Sequence, residues 1–145
     1  MINKDKRGEI VSEALTWVGT PYHHMGKVKG AGVDCGQILI SVYSSVGLIE
    51  DYETDYYPFD WALHRSEEKY LENIMRYAQP TNNPKVGDIA VYKFGRCVSH
   101  SGIIINEREI VHAWLKAKQV TISRMDEGEL NGRLHGYYTL FKEDE

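Results

Sequence analysis

The amino-acid sequence predicts an α+β fold in which N-terminal helices pack on a C-terminal antiparallel sheet of about five strands. Two observations lead to this prediction. Between residues 9 and 78 apolar residues recur at helical spacing, whereas after Pro84 they alternate over short runs separated by turns. Helices that precede a run of hairpin-linked strands are typical of the α+β class. A length of 145 residues suits one core, so we expect residues 1–145 to form a single domain.

Glycine and proline mark the ends of the first two expected helices. The first covers residues 9–18 and ends before Pro21, because proline cannot continue the helical hydrogen-bond ladder. The second covers residues 35–46, since Asp34 stands at an N-cap position and Gly47 at a C-cap position.

Further elements follow from breaks in these patterns. We expect a loop over residues 22–32 and an irregular surface crossing over residues 48–59. Another long helix is expected over residues 60–77, ended by a helix-breaking segment at residues 79–84. Alternation then predicts five strands, over residues 88–93, 100–105, 109–114, 119–123 and 136–142. Packing of the second helix on this sheet would bring its N-terminus against the strands that carry His100 and His112.

Composition excludes several classes of function. With 42% hydrophobic and 26% charged residues, the chain has the makeup of a globular protein. The net charge is −4 and basic residues form no stripe, so we expect no nucleic acid partner. No apolar run is long enough to span a bilayer, and no apolar segment follows the charged N-terminus as in a signal peptide. We therefore expect no membrane span and a protein that is cytoplasmic as synthesised.

Cys35 is the residue around which the candidate site is organised. It follows a glycine-rich segment and the capping residue Asp34, at the start of the second expected helix. Unpaired backbone N–H groups and the positive end of the helix dipole favour a thiolate there, so we expect Cys35 to act as a nucleophile. Cys97 follows Gly95 in an expected turn with no helix start beside it, and we expect it to be uninvolved.

Two histidines downstream complete a candidate catalytic arrangement. His100 precedes an apolar, β-branched run, and His112 lies within the next one. A cysteine nucleophile needs a base to accept its proton and a third group to orient that base, and such groups are neighbours in space rather than in sequence. Each histidine alone is typical of a core or edge residue, but their order with Cys35 points to catalysis.

Five short segments, in this order and spacing, resemble the NlpC/P60 family of cysteine peptidases. They are Gly19-Thr20-Pro21-Tyr22, Gly32-Val33-Asp34-Cys35-Gly36, Val86-Gly87-Asp88-Ile89, Ser99-His100-Ser101-Gly102-Ile103 and Val111-His112-Ala113. The form His24-Met25-Gly26-Lys27-Val28-Lys29-Gly30 before the cysteine is most similar to members encoded with bacteriophage tail genes.

This resemblance implies a papain-like α+β fold and hydrolysis of amide bonds in bacterial peptidoglycan stem peptides, usually between γ-linked D-glutamate and a diamino acid. By position, Cys35 matches the family nucleophile, His100 its base, and His112 the residue that orients the base. Tyr22 matches a tyrosine that lies over the site and helps to hold the substrate or the oxyanion. We expect no cofactor and no metal. Phage tail proteins are expected partners, with a location in the virion tail or, after delivery, in the periplasm or cell wall.

Positions beside the nucleophile depart from the family pattern. Many members have serine directly after the cysteine and then glycine, whereas this chain has Gly36 and Gln37. In members that read a free peptide amino terminus, that serine and the preceding aspartate contribute to recognition, so the bond that this chain cleaves stays open. The candidate oxyanion- or substrate-binding residues are Tyr22, Asp34, Gly36 and the loop residues His23 and His24.

Three other functions fit parts of the pattern. A zinc ion could be surrounded by Cys35, His100, His112 and one of His23 or His24, but the sequence has no close ligand pair such as Cys-x-x-Cys. A catalytically silent structural component of a tail assembly is argued against by the three filled catalytic positions. Acyl transfer on lipids is found in relatives whose histidine precedes the cysteine, unlike this chain.

Overall fold

The computed structural model describes residues 2–54, 69–95 and 97–141. Its helices in these ranges are α1 (Ile2–Leu15), α2 (Gln37–Ser45) and α3 (Lys69–Met75), and none of them is long and apolar enough to cross a bilayer. Its strands are β1 (Lys27–Val28), β2 (Gly32–Val33), β3 (Gln79–Thr81), β4 (Ile89–Phe94), β5 (Cys97–Ile104), β6 (Glu109–Trp114), β7 (Gln119–Arg124) and β8 (Leu134–Thr139). The predicted α+β class is confirmed.

Strands β3 to β8 form a six-stranded antiparallel sheet in the order β3-β8-β4-β5-β6-β7. The five predicted strands are β4 to β8. The sequence pattern does not predict β3, because its central residue, Pro80, indicates a break. Proline cannot donate to a ladder and is therefore confined to positions such as an edge strand, which is where β3 lies.

Several boundaries differ from those predicted. β5 begins at Cys97, so Cys97 lies in a strand paired with Phe94 rather than in a turn. β8 covers Leu134–Thr139 instead of residues 136–142. The predicted loop contains the small antiparallel pair of β1 and β2. Of the helix predicted over residues 60–77, Lys69–Met75 is helical, and residues 60–68 lie outside the described ranges.

The two N-terminal helices show what periodicity can and cannot locate. α1 begins well before residue 9. The apolar periodicity does not predict this start, because only the buried part of the helix, with Ile10 and Ala14, carries the apolar pattern. The end of α2 is as predicted: Gly47 has φ +82°, and its N–H donates to the Ser44 carbonyl at 3.0 Å. The start of α2 differs, since the regular helix begins at Gln37 and Cys35 lies in the turn before it.

The sheet buries side chains on both faces. One face shares the larger core with the helices, through Val91, Ile103, Val111, Ile10, Ile38, Leu39, Val42 and Ile74. The other face carries a smaller cluster of Ala90, Tyr92, Ile104, Ile110 and Leu130. Strands β4, β5 and β6 are therefore covered on both sides, which holds the residues at their centre in place.

Gly102 has a packing role on β5. A Cβ at this position would stand 2.6 Å from Cδ1 of Ile110 and 3.1 Å from Cβ of His112. We expect Gly102→Ala to force β5 and β6 apart and to lower the free energy of unfolding by about 1–3 kcal/mol, the usual effect of overpacking. Urea denaturation followed by circular dichroism measures the change.

The matched control is Gly136→Ala on β8. A Cβ at Gly136 meets no atom within 4 Å, so this variant is expected to change the free energy of unfolding by no more than about 0.5 kcal/mol. Equal destabilisation of the two variants would show that the close approach of β6 to Gly102 does not constrain the strand pair.

Candidate active site

The carboxylate of Asp34 builds the turn that carries Cys35. Its Oδ1 accepts hydrogen bonds from the N–H groups of Gly36 at 3.1 Å and Gln37 at 2.9 Å, as an N-cap does. Its Oδ2 accepts from the N–H of Met25 at 2.7 Å, which ties the preceding loop to the same turn. Asp34 is 2% exposed, so these contacts support the capping role rather than direct contact with a substrate.

Cys35 lies directly against the strand that carries His100. Its thiol donates to the Ser99 carbonyl at 3.6 Å, and its own carbonyl accepts from the Ser101 hydroxyl at 3.4 Å. The cysteine therefore contacts the residues on both sides of His100. Two tyrosine hydroxyls, those of Tyr22 and Tyr70, lie beside the thiol.

The thiol of Cys35 is neutral at rest. Burial raises its pKa to about 12, and the nearby Asp34 carboxylate acts in the same direction. The Tyr70 hydroxyl and the N–H groups of Cys35 and Gly36 lower the pKa by a smaller amount. The backbone N–H groups thus favour the thiolate, as expected, but desolvation outweighs them.

His100 and His112 are hydrogen-bonded to each other. Nε2 of His100 lies 2.7 Å from Nδ1 of His112, and Nε2 of His112 lies 2.9 Å from Oγ of Ser123 on β7. One set of tautomers satisfies this chain with Nδ1 of His100 free to accept a proton. His100 then carries its hydrogen on Nε2 and donates to His112, which carries its hydrogen on Nε2 and donates to Ser123.

Aromatic rings enclose the histidine pair. The Trp114 ring stacks on His112 at 5.4 Å and lies 4.9 Å from the His100 ring, and Phe94 contacts His100 edge-on at 6.0 Å. Burial lowers the pKa of His112 to about 4. It also holds the pKa of His100 well below its ordinary value, with a further contribution from His112. Both rings are therefore neutral at pH 7.

His100 and the residues that touch Cys35 alternate along β5. His100 stands opposite Tyr92 in register, so it lies on the side of the smaller cluster, whereas the next residue, Ser101, faces the helices. The hydrogen bond that the structure describes for the thiol goes to the Ser99 carbonyl rather than to an imidazole. Transfer of its proton to His100 requires the S–H bond to turn away from the Ser99 carbonyl and the sulfur to approach the imidazole, which lies on the other face of β5.

The other predicted site residues surround this centre. Tyr22 is half-buried, and burial together with the charges of Cys35 and Asp34 raises its pKa, so its hydroxyl stays protonated. His23 is exposed and His24 half-buried, both on the loop that Asp34 anchors. Gly36 lies beside the Tyr70 ring. Within the described ranges, no three His, Cys, Asp or Glu side chains lie close enough to hold a metal ion, so the zinc alternative lacks a ligand set there.

Three residues of the site were not predicted. Tyr70 is buried on α3 with Ile74, four residues on, while Met75 is 49% exposed; this i, i+4 spacing is a signal that could have found Tyr70. Ser101 could have been found from strand alternation, which places it on the opposite face from His100. Ser123 could not, because its contact depends on how β6 and β7 are aligned.

A model of the NlpC/P60 family matches residues 19–139 of the chain. Over 125 residues the chain is 26% identical to the murein DD-endopeptidase MepS/murein LD-carboxypeptidase of Escherichia coli strain K12. This match covers 86% of the chain and 58% of that relative, so the chain spans less than two thirds of the relative's length.

Two solved structures share the fold at low sequence identity. An NLP/P60 family protein from Staphylococcus aureus Mu50, similar to lipoprotein, has a TM-score of 0.71 at 16% identity, covering 96% of this chain and 42% of its own. RipD from Mycobacterium tuberculosis is a non-catalytic NlpC/p60 domain protein adapted to a peptidoglycan-binding function. It has a TM-score of 0.58 at 12% identity, and the match covers 92% of this chain and 95% of the RipD chain.

The depressed pKa of His112 makes stability depend on pH. In the unfolded chain His112 binds a proton near pH 6.5, whereas in the folded chain it does so only near pH 4. The unfolded state therefore takes up protons first as the pH falls, and this contribution to stability, fully present above pH 6.5, is lost between pH 6.5 and 4. We expect His112→Asn to make the loss of unfolding free energy between pH 7 and 4.5 smaller by about 2 kcal/mol.

Urea denaturation at the two pH values measures this difference. The exposed His135 serves as the control, since His135→Asn is expected to leave the loss as large as in the parent protein. An undiminished loss in His112→Asn would mean that His112 is not held neutral by the fold.

Proposed function

The chain belongs to the NlpC/P60 family, and we propose that it hydrolyses amide bonds in bacterial peptidoglycan stem peptides with Cys35 as the nucleophile. The observation that carries this proposal is the hydrogen-bond chain from His100 through His112 to Ser123, together with the contacts of Cys35 to Ser99 and Ser101 on either side of His100. That chain orients an imidazole, as a cysteine nucleophile requires of its base.

In the first step, the Cys35 thiol gives its proton to Nδ1 of His100 while the sulfur attacks the scissile carbonyl carbon. The carbon–oxygen double bond opens to an oxyanion, which accepts hydrogen bonds from the Cys35 N–H and the Tyr22 hydroxyl. Because thiol and imidazole are both neutral at rest, a separated ion pair is unfavourable before attack. Proton transfer is therefore coupled to formation of the carbon–sulfur bond.

In the second step, the tetrahedral intermediate collapses. The carbon–nitrogen bond breaks, and the proton on Nδ1 of His100 passes to the departing amine, which leaves a thioester on Cys35. Water then attacks the thioester and gives a proton to His100, which returns it to the sulfur as the carboxylic acid product leaves. His112 holds the His100 ring in one tautomer throughout, and it accepts the hydrogen bond from the imidazolium.

The usual family bond, between γ-linked D-glutamate and a diamino acid, is our proposed target. The departure at Gly36 and Gln37 argues against recognition of a free substrate amino terminus through this segment, since Asp34 is buried and accepts three backbone N–H groups. Delivery by a bacteriophage tail, and action in the periplasm or cell wall, stay predictions from the sequence.

A non-catalytic role in binding peptidoglycan is the second candidate. It is favoured by one observation, that the resting thiol is protonated and hydrogen-bonds to Ser99 rather than to an imidazole. The solved relative RipD belongs to this functional type. The two candidates differ in whether a bound stem peptide is cleaved.

Cys35→Ala is expected to lower the rate of stem-peptide cleavage by about 10³-fold or more, because it removes the thiol that forms the thioester. Purified peptidoglycans of different chemotypes are digested, and mass spectrometry identifies the new amino termini and hence the bond. Cys97→Ala is the matched control; Cys97 is buried on β5, and this variant is expected to keep its activity.

The same digests separate the two candidate functions. Cleavage retained by Cys35→Ala would overturn the nucleophile assignment. Parent protein that sediments with peptidoglycan but releases no new amino termini from any chemotype would establish the binding role instead.

Ser123→Ala is expected to lower kcat about fivefold with little change in KM. It removes one hydrogen bond, worth about 1 kcal/mol, that fixes the tautomer of His112 and through it that of His100. Ser44→Ala removes a hydroxyl that bonds to a carbonyl within α2 and should leave both constants unchanged. A change confined to KM in Ser123→Ala would place Ser123 in substrate binding and not in the orientation of the base.

A further inference from the structure

The phenol of Tyr70 lies at the centre of a hydroxyl network beside the nucleophile. Its hydroxyl oxygen is 2.6 Å from Oγ of Ser101, and the phenol lies beside the Cys35 thiol. Ser101 in turn donates to the Cys35 carbonyl at 3.4 Å. Tyr70 is 4% exposed, so neither hydroxyl competes with bulk water.

Gly36 leaves the room that the Tyr70 ring occupies. A Cβ at Gly36 would already be in van der Waals contact with a ring carbon of Tyr70, at 3.4 Å. A larger side chain at this position would compete with the ring for the space next to the thiol. Gly36 and Tyr70 are therefore matched in shape.

We propose that Tyr70 is a positioning residue for Cys35, whose hydroxyl donates a hydrogen bond to the sulfur when the thiol loses its proton. This inference rests on the proposed function, in which Cys35 is the nucleophile. It assigns to α3 a part in the chemistry, through a tyrosine that no motif of the sequence marks.

Counting protons shows how the network changes as the thiol ionises. Each hydroxyl has one hydrogen. While the thiol is protonated, Ser101 donates to the Cys35 carbonyl and Tyr70 donates to Ser101. When the sulfur becomes an anion, the Tyr70 O–H turns to it, and the Ser101 O–H turns to the phenol oxygen. The new donor reaches the sulfur through rotation of two O–H bonds, with no movement of the backbone.

The surroundings keep Tyr70 in the donor form. Burial raises its pKa well above the ordinary value, and the neighbouring Cys35 and Asp34 charges act in the same direction. Burial therefore favours the protonated phenol, which is the form that can donate to the sulfur. Hydrogen bonds to a charged acceptor are the stronger kind, so this one counteracts part of the desolvation that disfavours the thiolate.

The test measures alkylation of Cys35 by iodoacetamide as a function of pH, with peptide-resolved mass spectrometry and no substrate. Tyr70→Phe is expected to slow alkylation at pH 8 about tenfold or more and to move the pH midpoint upward, since the thiolate loses a donor. Tyr43→Phe is the matched control. It removes another buried tyrosine hydroxyl, which donates to the Gly87 carbonyl, and it should leave the profile unchanged.

Cys97 reports folding in the same samples, because it is buried and becomes reactive only if the chain opens. If Cys97 of Tyr70→Phe is alkylated, 3-fluorotyrosine at position 70 replaces that variant. Fluorine makes the hydroxyl a stronger donor at nearly the same volume, and the midpoint should then move downward.

An unchanged pH profile in Tyr70→Phe with Cys97 unreactive, or an unchanged midpoint with 3-fluorotyrosine, would overturn the role of Tyr70. Neither result depends on cleavage of peptidoglycan. Loss of the peptidase assignment through Cys35→Ala is therefore a separate outcome from loss of the Tyr70 assignment.

Discussion

The site depends on one buried carboxylate. Asp34 accepts hydrogen bonds from the N–H groups of Met25, Gly36 and Gln37, and so joins the preceding loop, the turn at Cys35 and the start of α2. A buried carboxylate is stable only when such donors surround it, and each donor in turn loses its freedom. These contacts help to hold Cys35 beside the sheet, because they fix the backbone of the turn that carries it.

The sheet supplies the second half of the site through its pairing. His100, His112 and Ser123 lie on three neighbouring strands, β5, β6 and β7, and their side chains meet in one hydrogen-bonded chain. Gly102 lets β6 approach closely enough for this, since any side chain there would collide with Ile110 and His112. Packing on both faces holds the strands in register. The fold therefore fixes the hydrogen-bonded arrangement of His100, His112 and Ser123.

Burial gives the site its electrostatic character. It favours the neutral forms of both Cys35 and His100, which raises the thiol pKa and lowers that of the imidazole. A site of this kind stores no ion pair. It instead places two tyrosine hydroxyls and the Cys35 N–H beside the sulfur, where they can donate hydrogen bonds as negative charge develops. Pre-oriented donors in a dehydrated site stabilise charge more effectively than water does, because they do not need to reorganise.

The sequence by itself determined the α+β class, the five strands β4 to β8, the C-terminal end of α2 at Gly47 and the family to which the chain belongs. These features depend on local periodicity, on backbone conformations that favour glycine, and on motifs that are contiguous in the chain. It also pointed to Cys35, His100 and His112, because their residue types have few alternative uses in that order. Tertiary structure alone decided the partners of Ser123 and Tyr70, the edge strand β3 and the direction of the thiol pKa. Those outcomes depend on strand register, on side chains brought together from distant positions, and on how completely water is removed, and none of these is a property of a local segment.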